Sequence, residues 1–105
     1  MTPRRGKHPS FDASDDLLDA RPAAALDLHG FTAAETPAAV RSFLETWSRR
    51  KPGAVVHVIT GKGKGSAGGP VLRGVVKTLL QGEMRALVAR WGLDDAEGGY
   101  KVQLR

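Results

Sequence analysis

Asp27 and His29 stand one residue apart in the segment LDLHG, and further along the chain the run ITGKGKGSAGGP (59–70) crowds glycines and lysines behind an apolar stretch. These residue types suit chemistry at a phosphate ester. Cleaving a phosphodiester requires a proton taken from the nucleophile, a proton given to the leaving oxygen, and stabilisation of the charge that builds at the phosphorus. An imidazole titrates near neutrality, so His29 can take or give the proton, and a neighbouring Asp27 can orient the ring or raise its pKa. Glycines let successive backbone N–H groups approach an anion, a following helix adds the positive end of its dipole, and Lys62 and Lys64 supply full charges. On RNA the 2′-hydroxyl can serve as internal nucleophile, and no metal is required. On DNA a water must attack, and Asp27 with His29 would then be the residues to hold Mg²⁺ or Mn²⁺. The residues alone leave both routes open.

Three readings compete for the glycine run. Gly63, Gly65 and Gly68 fit the dinucleotide-binding spacing G-x-G-x-x-G, but that fingerprint belongs on the first strand–helix turn of a larger sheet, and here it follows the second strand. A Walker A loop fails because the Lys-Ser/Thr pair at the required offset from Gly61 is missing. A plain surface loop is the default for any Gly/Ser/Lys cluster. The third reading is a phosphate cradle, and position favours it: in a parallel sheet the carboxyl ends of the first two strands lie side by side. Asp27 also has a purely local use, since an aspartate before a turn can accept backbone N–H groups.

The elements that must position these residues are legible as hydrophobic periodicity. In LDLHG, Leu26 and Leu28 alternate with Asp27 and His29, as in a short half-buried strand ending at a glycine turn, so the acid and the imidazole project from the side opposite the leucines. Val40, Phe43, Leu44 and Trp47 mark one helix face ending near SRRKPG. Its start falls within 33–37, because Thr32 and Glu35 have capping-box spacing while Pro37 fits a first turn capped by Thr36. AVVHVIT reads as the second strand. Pro70 opens a second helix with Leu72, Val75, Val76, Leu79 and Leu80 on one face as far as Gly82, and strands follow at 86–92 and 99–104. The order is β-α-β-α-β-β, with the first three strands expected to run parallel and the last antiparallel, in two layers that leave one sheet face open. Trp91 and Tyr100 are candidates for base stacking on that face, with packing the favoured reading. His57 reads as a core or sheet-face histidine, and Arg49, Arg50 and Lys51 have a structural use at a helix C-terminus.

Composition sets the bounds. The chain has 105 residues, no cysteine, a net charge of +5 and a pI near 10.1. It is sized for one compact domain, 25–105, preceded by an arm, 1–24, whose mixed basic and acidic residues carry little periodicity and are expected to be flexible, with docking of the apolar pair Leu17–Leu18 on the domain or on a partner as the lesser reading. The absence of cysteine excludes disulfides, thiolate metal sites and cysteine nucleophiles and fits a reducing, cytoplasmic setting. The start MTPRRGKHPS is followed by no apolar h-region, so neither a leader nor a membrane span is expected. The basic balance suits a polyanionic partner.

Taken together, LDLHG before a helix and a strand ending ITGKG before a helix opening G-P-V-L resemble the Smr (small MutS-related) domain family, over about Leu26 to Leu104. The resemblance implies a two-layer α/β sandwich, a four-stranded mixed sheet with two helices on one face, similar to the C-terminal domain of translation initiation factor three. It implies an endonuclease acting on DNA or RNA, with bacterial free-standing members that cleave messenger RNA at stalled ribosomes, so the partners implied are nucleic acid and the ribosome. The family's functional positions fall on Asp27, Leu28 and His29, and on Thr60, Gly61, Lys62 and Gly63. The cradle reading adds Lys64 and Gly65. RNA is favoured because the chain carries no mismatch-recognition or ATPase module. AEGGYKVQL is shorter than the glycine-rich turn common before the family's last strand. A non-catalytic nucleic-acid- or ribosome-binding module using the same basic loop is the alternative. Specificity of cleavage, metal dependence and oligomeric state are not readable from these residues.

Overall fold

The computed structural model of the chain describes residues 15–61, 69–94 and 98–105. Strands β1 (Ala24–Asp27), β2 (Val55–Ile59), β3 (Val88–Asp94) and β4 (Gly99–Leu104) form one sheet in the order β1-β2-β4-β3. β1 and β2 are parallel, and β4 is antiparallel to both β2 and β3. The first three strands therefore point one way and β4 runs against them, as expected. What periodicity does not reveal is that β4 inserts between β2 and β3, making the last strand in sequence an interior one.

A short helix, α1 (Asp15–Leu18), precedes the sheet, and the longer helices α2 (Thr36–Arg50) and α3 (Gly69–Gln81) pack on one of its faces. The two-layer α/β architecture follows from the periods. Val56 and Val58, two apart on β2, meet Val40 and Leu44 of α2 and Leu72, Val76 and Leu80 of α3 in one buried cluster. Truncating any of these to alanine removes its transfer energy and leaves a void, at about 2–5 kcal/mol for a leucine. Phe43, Trp47 and Val75 flank the cluster half-buried, and the Arg50 guanidinium lies over the Trp47 ring at 5.1 Å.

At the start of α2 the capping-box expectation is realised, whereas the cap expected at Thr36 is not, because Thr36 is already the first helical residue and Glu35 precedes it. Glu35 Oε1 accepts the Thr32 N–H at 2.9 Å while Thr32 Oγ1 accepts the Glu35 N–H at 3.1 Å, the reciprocal bonds of a capping box. This closes a turn, and the regular helix then begins at Thr36, with Pro37 in its first turn. Arg41 Nε donates to Glu83 Oε2 at 2.6 Å, tying α2 to the turn after α3, and that hydrogen bond together with the Glu83 charge raises the Arg41 pKa. β3 starts two residues later than the strand expected at 86–92, because Arg85–Leu87 form a 3₁₀ turn closed by the Leu87 N–H on Met84 O.

The second sheet face is covered over its centre, at His57 and Lys101, while Ala25 and Asp27 at the β1 edge are exposed. Register places Ala25, His57 and Lys101 side by side on the face away from α2 and α3, and His57 and Lys101 are both buried. The chain entering β1 accounts for part of the cover: Leu17 is fully buried, and Lys101 Nζ donates to Leu18 O at 2.6 Å and Ala20 O at 3.3 Å, with Asp94 Oδ2 3.6 Å away. Of the segment expected to be a flexible arm, residues 1–14 lie outside the described residues, while 15–24 carry α1, a packed leucine and the first residue of β1. Trp91 and Tyr100 project to the helix side. They meet edge to face at 5.5 Å in the core, the Tyr100 hydroxyl donates to Arg73 O, and neither ring is available for base stacking.

Candidate functional site

The parallel pairing of β1 and β2 aligns Asp27 with Ile59. Leu28 N–H donates to Ile59 O at 2.8 Å, so the ladder continues one residue past the end of β1. Alternation then sorts LDLHG: Leu28 is fully buried in the core, whereas Asp27 and His29 are exposed. The chain reverses at once. Phe31 N–H donates to Leu28 O at 2.9 Å, closing a four-residue turn in which Gly30 has φ +88°. A type II turn demands a positive φ at that third position, which a residue with a Cβ adopts only under strain.

Asp27 braces this turn. Its Oδ1 accepts the His29 N–H at 2.9 Å, the local use that an aspartate before a turn invites. The aspartate thus acts on the histidine through the main chain, fixing where the imidazole starts from.

The end of β2 lies beside this turn. Thr60 and Gly61 were expected to offer donors to a phosphate, but theirs are already engaged. Gly98 O accepts the Thr60 N–H (2.9 Å), the Gly61 N–H (3.0 Å) and the Thr60 hydroxyl (3.0 Å), and Thr60 is buried. Thr60 and Gly61 therefore anchor the base of the glycine run, Thr60 buried and Gly61 partly exposed. Lys62, Gly63, Lys64 and Gly65, the other residues assigned to the cradle, lie outside the described residues.

Two residues of this anchor were missed by reading the sequence for chemistry. Gly98, at φ +75°, presents the carbonyl that takes three donors. Gly99 pairs with Ile59 so closely that a Cβ on it would lie 2.0 Å from Val58 O and 2.8 Å from Ile59 Cα. The signal was a Gly-Gly pair opening a strand, which marks close approach of another backbone.

Among the described residues no three of His, Cys, Asp and Glu gather as a metal site, and no helix is long and apolar enough to cross a membrane. A groove of about 510 Å³ runs between the helices, lined by Pro37, Val71, Gly74, Val75, Thr78 and Leu79. It carries no titratable side chain and is separate from the Asp27–His29 turn.

With the sheet order, the braced turn and the anchored glycine run in place, comparison with known sequences agrees with the fold. The family model of the Smr domain matches residues 26–102, and the chain belongs to that family. The match points to interaction with nucleic acid, by binding or by nuclease-like function. No match was found among curated proteins or among solved structures.

Proposed function

We propose that this protein is an endonuclease that cleaves phosphodiester bonds in nucleic acid, with RNA favoured over DNA and ribosome-bound RNA in the cytoplasm as the expected setting. The observation that carries the reading is the turn at the end of β1: an exposed imidazole on a main chain fixed by an adjacent carboxylate, next to the strand end from which the lysine-bearing glycine run departs. His29 is the general acid/base. Asp27 is a positioning residue that sets the height and direction of His29 through its backbone N–H. With the Thr60 and Gly61 donors engaged by Gly98, the anion-binding role moves on to Lys62, Gly63, Lys64 and Gly65.

A divalent cation is compatible with this arrangement if the substrate supplies most of its ligands. Mg²⁺ is commonly held by one or two carboxylates together with substrate phosphates, and the Asp27 carboxylate has a second oxygen besides the one bonded to His29. Such an ion, when bound, would neutralise charge on the phosphate.

The test uses labelled single-stranded RNA and, in parallel, supercoiled plasmid, each with and without EDTA, and compares wild type with Asp27→Ala and His29→Ala. Cleavage by wild type that falls about 10²–10⁴-fold in His29→Ala supports the proposal, that being the usual contribution of a general acid/base. Binding without wild-type cleavage on either substrate overturns it in favour of a non-catalytic module.

A further inference from the structure

We propose that Phe31 is the stacking platform for a nucleobase adjoining the phosphate that His29 addresses, an inference that rests on the nucleic-acid reading above. With Trp91 and Tyr100 buried and Phe43 packed against the core, Phe31 is the one exposed aromatic among the described residues, at 37%. A lone exposed apolar side chain is ordinary, so its place must carry the argument.

Phe31 closes the turn that holds His29, through its N–H on Leu28 O. The ends of such a turn lie within about 7 Å of each other, so the ring and the imidazole belong to one small rigid unit whose size is comparable with a nucleotide. Gly30 puts no side chain between them. The structural use of an apolar residue at this point is a hydrophobic staple, in which the residue before a capping box packs on an apolar side chain five positions on. Here the box is Thr32–Glu35, and the position facing Phe31 is Thr36, which is buried with its hydroxyl donating to Thr32 O at 2.8 Å. The staple lacks its apolar partner, and Phe31 stays partly exposed two residues along the turn from His29. An aromatic face there accepts any base, because every base has a π-face, and it would register the strand without reading its sequence.

The experiment measures dissociation constants for single-stranded oligoadenylate and for an abasic ribose-phosphate strand of the same length, in the His29→Ala background so that the strand stays intact. Phe31, Phe31→Leu and Phe31→Trp are compared. With Phe31 present, the base-bearing strand is expected to bind more tightly than the abasic one by between about five- and 150-fold, the range of a single stacked base. Phe31→Leu, apolar but unable to stack, erases that preference. Phe31→Trp restores it, with the new indole quenched on binding. A preference unchanged in Phe31→Leu overturns the inference while leaving nucleic-acid binding intact, and failure to bind either strand overturns both readings.

Discussion

At the scale of single residues, Asp27 acts on His29 through the main chain. Its Oδ1 is engaged by the His29 N–H, a bond that asparagine can also make and alanine cannot. Asp27→Asn is therefore expected to keep the turn, with a melting temperature close to wild type. Asp27→Ala loses about 1 kcal/mol, the typical cost of a removed side-chain-to-backbone bond, or about 4–8 °C in Tm. If bracing is the main role, cleavage by Asp27→Asn stays well above that by Asp27→Ala. If the negative charge itself is needed, both fall together, and thermal melts with rate measurements on the two variants decide between them. The parity of LDLHG made the exposure of Asp27 and His29 legible in advance. The engagement of the Thr60 and Gly61 donors was not, because their acceptor, Gly98, is remote in sequence and belongs to a different turn.

At the scale of elements, β2 is held at its carboxyl end by the start of β4, and that contact depends on Gly99. Any side chain there meets backbone on β2, which cannot swing aside as a flexible side chain would. Gly99→Ala is expected to cost at least about 3 kcal/mol in denaturant unfolding, at the severe end of what overpacking produces. The same variant should cleave poorly under conditions where it remains folded, since separation of β2 and β4 withdraws the Gly98 carbonyl from Thr60 and Gly61. The helices and their buried faces were readable from spacing at 3.6 residues per turn, and so was the capping box at the start of α2. Strand order was not, because β-α-β-α-β-β is compatible with β4 at an edge or between β2 and β3. Only the long-range pairing of Val56 with Val102 and of Val102 with Trp91 selects the interior place. That choice also sends Trp91 and Tyr100 to the helix side, the detail on which the stacking expectation for those rings turned.

At the scale of the whole molecule, the charge of +5 and the concentration of lysines in the glycine run favour a strand of phosphates as the partner. Binding to single-stranded RNA should weaken linearly in log Kd against log salt, with a slope near 0.7 for each phosphate neutralised. Replacing Lys62 and Lys64 together with glutamine is expected to reduce that slope by about 1.4, as read by fluorescence anisotropy at several salt concentrations. An unchanged slope would place the phosphate contacts elsewhere on the surface. The packing of Leu17 and the bonds from Lys101 to Leu18 and Ala20 extend the folded body beyond the family match, which begins at residue 26. The apolar pair Leu17–Leu18 marks this in the sequence only as a lesser reading, and the two hydrogen bonds accepted by Leu18 and Ala20 leave no trace in a hydropathy pattern.

The interior position of β4 also bears on how the protein is made. Every residue assigned to the proposed active centre is synthesised before Gly99, yet β2 and β3 have no hydrogen-bonding bridge between them until Gly99–Leu104 has been added and has cleared the ribosome. A nascent chain paused short of that point holds the residues of the proposed centre without the frame that arranges them.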